Sequence, residues 1–120
     1  MINIKPELLQ ALQSNATLIS LLGGNHIYQL VEPNADEFPR ITFFEVTNTD
    51  EDYADDTAIS SDIMIQIDIW NKASTSAIAI EVDKSLKTLD FQRTYAADLY
   101  ESDTQIFHKA MRYLTTREAF

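Results

Sequence analysis

Between Ser60 and Leu89 the chain is constrained to one strand followed by one helix. Ile63, Ile65, Ile67 and Ile69 alternate with Met64, Gln66, Asp68 and Trp70. A period of two puts the isoleucines on one face of a strand and their neighbours on the other. Asn71 to Ser74 then breaks the alternation with short polar side chains. Ile78, Val82, Leu86 and Leu89 follow at spacings of three and four, the apolar stripe of an amphipathic helix. Ser74 is the expected N-cap of that helix. An isoleucine row and a helical stripe both need cover, so the chain must build layers of sheet and helix.

The rest of the sequence fits around this unit. The expected elements are a helical segment over 5–22, strands over 26–31, 40–49 and 60–70, a helix over 75–88, and strands over 90–95 and 105–116. Pro6 suits a first helical position, Asn15 can cap a second short helix, and Gly23-Gly24 can end it in a left-handed turn. Asp50 to Thr57 reads as an acidic loop and Asp98 to Asp103 as a polar turn. The order predicts one α+β domain over residues 1–120, with a small, mainly antiparallel sheet flanked by two helical segments.

The chemistry that the sequence excludes is extensive. A chain of 120 residues without cysteine has no disulfide, no thiolate nucleophile and no cysteine-ligated zinc. Two glycines leave no phosphate loop, dinucleotide fingerprint or nucleophile elbow. His26 and His108 are the only histidines, and neither adjoins a nucleophile motif. The cluster Asp50, Glu51, Asp52, Asp55 and Asp56 fails the calcium-loop pattern: counted from Asp50, Asp55 stands where glycine belongs and Ser61 where glutamate belongs. The residues thus predict neither an enzyme nor a metal or cofactor site. No apolar run is long enough for a membrane helix. A net charge of −10 opposes nonspecific nucleic-acid binding and anionic membranes.

What remains is surface. The second face of the sheet is expected to keep apolar groups, Ile41 with Phe43 or Met64 with Trp70, and Ile80 projects away from the stripe of its helix. Asp50, Asp52, Asp55 and Asp56 set an acidic patch against basic residues of the C-terminal half, among them Arg112 and Arg117. Opposite patches of this kind can fix the register of neighbouring subunits. These residues form the candidate interface.

The landmarks also carry a likeness in their order. Lys5-Pro6, Leu21-Leu22-Gly23-Gly24 before Ile27-Tyr28, and Phe38-Pro39-Arg40-Ile41-Thr42-Phe43-Phe44-Glu45 come first. Tyr53-Ala54-Asp55-Asp56, Ile65-Gln66-Ile67-Asp68-Ile69-Trp70, Asp98-Leu99-Tyr100-Glu101 and His108-Lys109-Ala110-Met111-Arg112-Tyr113 follow. Over nearly its full length the chain resembles the small tail-to-head joining, or tail completion, proteins of long-tailed bacteriophages and prophages. The resemblance implies a fold similar to the phage tail terminator and a noncatalytic virion protein made in the host cytoplasm. It further implies a ring, typically of six copies, between the head connector's stopper and the tail tube, through which DNA passes without specific binding. The acidic composition suits a bore along which phosphates must slide. A second function fits that composition as well: an inhibitor that mimics DNA and occupies a nucleic-acid enzyme.

Overall fold

The computed structural model describes residues 1–31, 36–54 and 57–118, with backbone alone at 51–54 and 57–59. The architecture is α+β. Three helices, α1 (Lys5–Gln13), α2 (Ala16–Leu22) and α3 (Ser76–Lys87), accompany five strands. The strands are β1 (Ile27–Gln29), β2 (Arg40–Ala54), β3 (Thr57–Asn71), β4 (Gln92–Glu101) and β5 (Ile106–Glu118). They form one open sheet in the order β1-β2-β3-β5-β4. Only β1 runs parallel to its neighbour; the other pairings are antiparallel. β3 and β4 are therefore parallel, connected by α3, with β5 inserted between them.

The core lies between the sheet and the helices. Ile63, Ile65, Ile67 and Ile69 are fully buried, and Leu8, Leu12, Leu18, Leu22, Val82 and Leu86 pack in the same cluster. Burying one such side chain contributes about 1.5–3 kcal/mol, so the isoleucine row alone sets which face the helices cover. Asn15 joins the start of α2 to α3. Its side-chain oxygen accepts the amide of Leu18 at 3.0 Å, capping α2, while its NH2 donates to the Glu81 carbonyl and the Ser85 hydroxyl of α3. Gly23 ends α2 at φ 76°, a conformation that costs glycine little.

Several boundaries differ from the sequence reading. The acidic stretch is not a loop from Asp50 onward: β2 and β3 run on as a hairpin whose pairing reaches Ala54↔Thr57. Aspartate has poor strand propensity, but register set in the body carries the ladder outward, and the Ser61 hydroxyl donates to Asp50 at 3.2 Å. Asp55 and Asp56 lie outside the described residues. β4 likewise continues through the expected polar turn to Glu101, because Asp98 stands opposite Lys109 and pairs with it at 3.2 Å. The residue before α3 is Thr75, whose side chain makes no cap, while the Ser74 hydroxyl accepts the amide of Ser76.

The largest correction concerns β2. Ile41 and Phe43 do not belong to a second face; both are buried in the core, opposite Ile69 and Ile67. Between Glu45 and Thr47 the register shifts and Val46 has no partner across the ladder, a β-bulge. The bulge reverses the alternation, so that Asn48, not Thr47, pairs with core-facing Ile63.

Candidate functional site

Among the described residues all three helices pack on the isoleucine face, and none covers the opposite face of the sheet. An uncovered antiparallel face is ordinarily polar and solvated. Here it holds a connected row of side chains that crosses four strands. Trp70 and His108, facing residues of β3 and β5, stack with ring centroids 3.8 Å apart. The Trp70 indole N–H donates to the Thr42 hydroxyl on β2 at 3.0 Å. Arg40 lies over the rings of Trp70 and Phe38.

The row continues through charge. His108 Nε2 is 2.7 Å from Asp68 Oδ1, and Asp68 is 5% exposed although it points away from the core. The Gln66 amide donates to the same carboxylate at 2.9 Å, and its carbonyl accepts from Arg112 Nε at 2.9 Å. Arg112 in turn lies 5.6 Å from the centre of the Tyr95 ring on β4. Each partner fixes the rotamer of the next, so this face holds its shape before anything docks on it. Chemically it offers aromatic surface and hydrogen bonds. Among the described residues no three His, Asp or Glu side chains converge as a metal site would need.

The second open feature is the edge of the sheet. Among the described residues β4 is hydrogen-bonded only to β5, and nine of its ten residues are exposed. Tyr95, Leu99 and Tyr100 on β4, with Phe107 on β5, place large apolar groups at that edge. Monomeric proteins usually shield a long edge strand with charge, proline or a covering loop. Beside it, α3 and the two strands bound a groove of about 440 Å³. Its lining includes Ile80 and Met111, with Lys84, Lys87, Arg93 and Lys109 around them.

The sequence candidates distribute as follows. Met64 and Trp70 are half-buried on the open face, and Ile80 is 57% exposed at the groove. Arg112 belongs to the open-face row. Asp50 is exposed on the hairpin, and Asp52 follows it on β2. Arg117 is occupied within the chain: its guanidinium donates to the Leu89 carbonyl, approaches Glu7 at 3.7 Å and lies over Phe91. It braces β5 against the end of α3 and is not a free contact residue. His26 is half-buried with Glu37 3.7 Å away.

Sequence reasoning missed the Trp70–His108–Asp68 unit. Alternation alone places His108 and Arg112 on one face of β5, and Asp68 and Trp70 on one face of β3. Their meeting depends on a register between strands almost forty residues apart, Trp70↔His108.

Comparison with known proteins bears on the whole of this arrangement. Residues 6–118 match the model of a family described as tail completion protein gp17. A chain in a solved structure described as the virion of a native gene transfer agent particle shares the fold. It has a TM-score of 0.67 at 15% identity, over 93% of this chain and 92% of that one. No curated protein matches the sequence.

Proposed function

The chain belongs to the family of the tail completion protein gp17, a structural phage tail protein, and on that premise we propose that it completes the tail by forming a ring that joins it to the head. The observation that carries this reading is the uncovered sheet face with its fixed row from Arg40 to Arg112, continuous with an unpaired ten-residue edge strand. A chain with buried Asp68 on an uncovered face and apolar side chains along an open edge is built for neighbours. Several copies, six by the family resemblance, would stand between the stopper of the head connector and the tail tube. Docking by shape and charge is the whole mechanism, without catalysis. The strong negative charge keeps a central passage from retaining DNA. A DNA mimic is disfavoured because the uncovered face presents Arg40 and Arg112 rather than rows of carboxylates.

Deleting the gene and imaging the lysate tests the proposal. DNA-filled heads beside complete, separate tails are the expected result. Virions of normal form and number would refute the joining role.

A further inference from the structure

The groove beside α3 is the basic spot of an acidic molecule. Four of the nine lysines and arginines line it, against a single carboxylate, Asp83. Three of the cations already have partners in the chain: Lys84 with Glu81 at 3.1 Å, Lys87 with Asp83 at 2.8 Å, and Lys109 with Asp98 at 3.2 Å. The first two lysines are more than two-thirds exposed, so those pairs exchange readily for another carboxylate. Arg93 has no ion-pair partner among the described residues. The floor is apolar, with Ile80, Ala79 and Met111. A ligand of matching chemistry carries clustered negative charge on a partly apolar body.

The same chain supplies such a body elsewhere. β3 pairs with β5 only as far as Ser60↔Glu118, whereas β2 and β3 remain paired to Ala54↔Thr57. Among the described residues, the hairpin beyond Ser60 is therefore a two-stranded arm. It carries Asp52 with Tyr53 on one strand and Ala58 and Ile59 on the other, and Asp50 and Glu51 stand at its base opposite Ser61 and Ser60, so that three acidic residues run in succession from base to arm. A two-stranded ribbon alone is marginally stable in water and gains from a surface to rest on. The principal extents of 53 × 29 × 24 Å describe an elongated molecule, consistent with an arm that reaches beyond the body.

The geometry points to a contact in which the acidic arm of one copy lies in the basic groove of the next. Arm and groove are different surfaces, so the contact is heterologous, and repetition of one such contact closes a ring when the rotation is right. The inference rests on the ring reading above and names the surfaces that would build it. DNA is the weaker occupant, since the chain as a whole repels phosphate.

The absence of cysteine makes a direct test possible. The gene carries Asp52→Cys together with Lys84→Cys, and purified particles are treated with a short bis-maleimide. The expected result is a ladder of covalent multiples of 13.7 kDa, absent when either cysteine is present alone. Particles that hold several copies of the protein but yield no ladder would overturn the arm-in-groove contact and leave the ring intact. Particles that hold a single copy would overturn both. An adduct of Lys84→Cys with a different virion protein would reassign the groove to that protein.

A charge exchange covers the case in which the cysteines disturb assembly. Arg93→Glu and Asp52→Arg should each lower phage yield at least tenfold, and the two together should restore most of it. Normal yield from the single variants, or a double variant no better than either, counts against the contact. Binding of the free protein to duplex DNA that Arg93→Glu abolishes would assign the groove to nucleic acid instead.

Discussion

One buried hydroxyl shows how single atoms set the stability of this fold. Tyr113 is fully buried, and its O–H donates to Asp83 of α3 at 2.9 Å, which locks β5 to the helix above it. Burial first, and the Asp83 carboxylate second, push the phenol well above its ordinary value of 10. Burial alone would raise Asp83, but hydrogen bonds from Lys87 and Tyr113 and the charges of Lys87 and Arg93 hold it below its ordinary 3.8. The contribution of this pair is therefore present between those two values. It is lost in alkali as the unfolded chain's phenol ionises, and lost in acid as pH falls through the lowered value of Asp83. Tyr113→Phe should cost about 1–2 kcal/mol at neutral pH, the lower range for a bond to a charged group, since Lys87 remains. Urea titrations of both proteins should show the difference shrinking above pH 10 and below pH 4. A constant difference at every pH would mean that the bond carries no charge-dependent stability.

At the scale of elements, the isoleucine strand was readable because its period is strict and its length ample. It also sits at the centre of the sheet, with Phe43 and Met111 flanking Ile67 on its two sides. Ile67→Ala should destabilise by about 2–4 kcal/mol through lost burial and an unfilled cavity, measurable as a lowered melting temperature. An unchanged melting temperature would contradict the buried position of Ile67. β2 was harder to read. It has apolar groups on both faces, Ile41 and Phe43 against Phe44 and Val46, and nothing within the strand chooses between them. The choice is made by pairing with Ile69 and Ile67, a long-range event. The hairpin arm and the outer half of β4 were illegible for a related reason. Local propensity favours turns at aspartate, whereas the ladder and pairs such as Asp98–Lys109 override it. α2, by contrast, is set by neighbours in sequence, and Asn15 and Gly23 marked its two ends directly.

At the scale of the whole molecule, Ile80 lines the proposed groove without belonging to the buried core. Ile80 is on α3 yet outside its buried stripe, so Ile80→Asp should leave a soluble protein with nearly unchanged melting temperature. In assembly an unpaired charge against an apolar contact is costly, and lysates of this variant should contain unjoined heads and tails. Normal virions would remove Ile80 from the interface, and an unfolded monomer would contradict its exposure. The bulge at Val46 has a genetic counterpart. A strand reads in a frame of two, and the bulge is a single inserted letter that the body tolerates because it is absorbed at one place. Removing Val46 would delete that letter and leave the frame as it stands: Glu45 stays opposite Ile65, Thr47 opposite Met64 and Asn48 opposite Ile63, so Asn48 keeps its bond to the Ile2 carbonyl. The arm would then leave the body with the same side up but without the bend and added twist that a bulge gives its strand. Deletion of Val46 should thus be tolerated far better than deletion of Gln66 from β3, which has no spare residue in its pairing with β5, and the melting temperatures of the two variants check it.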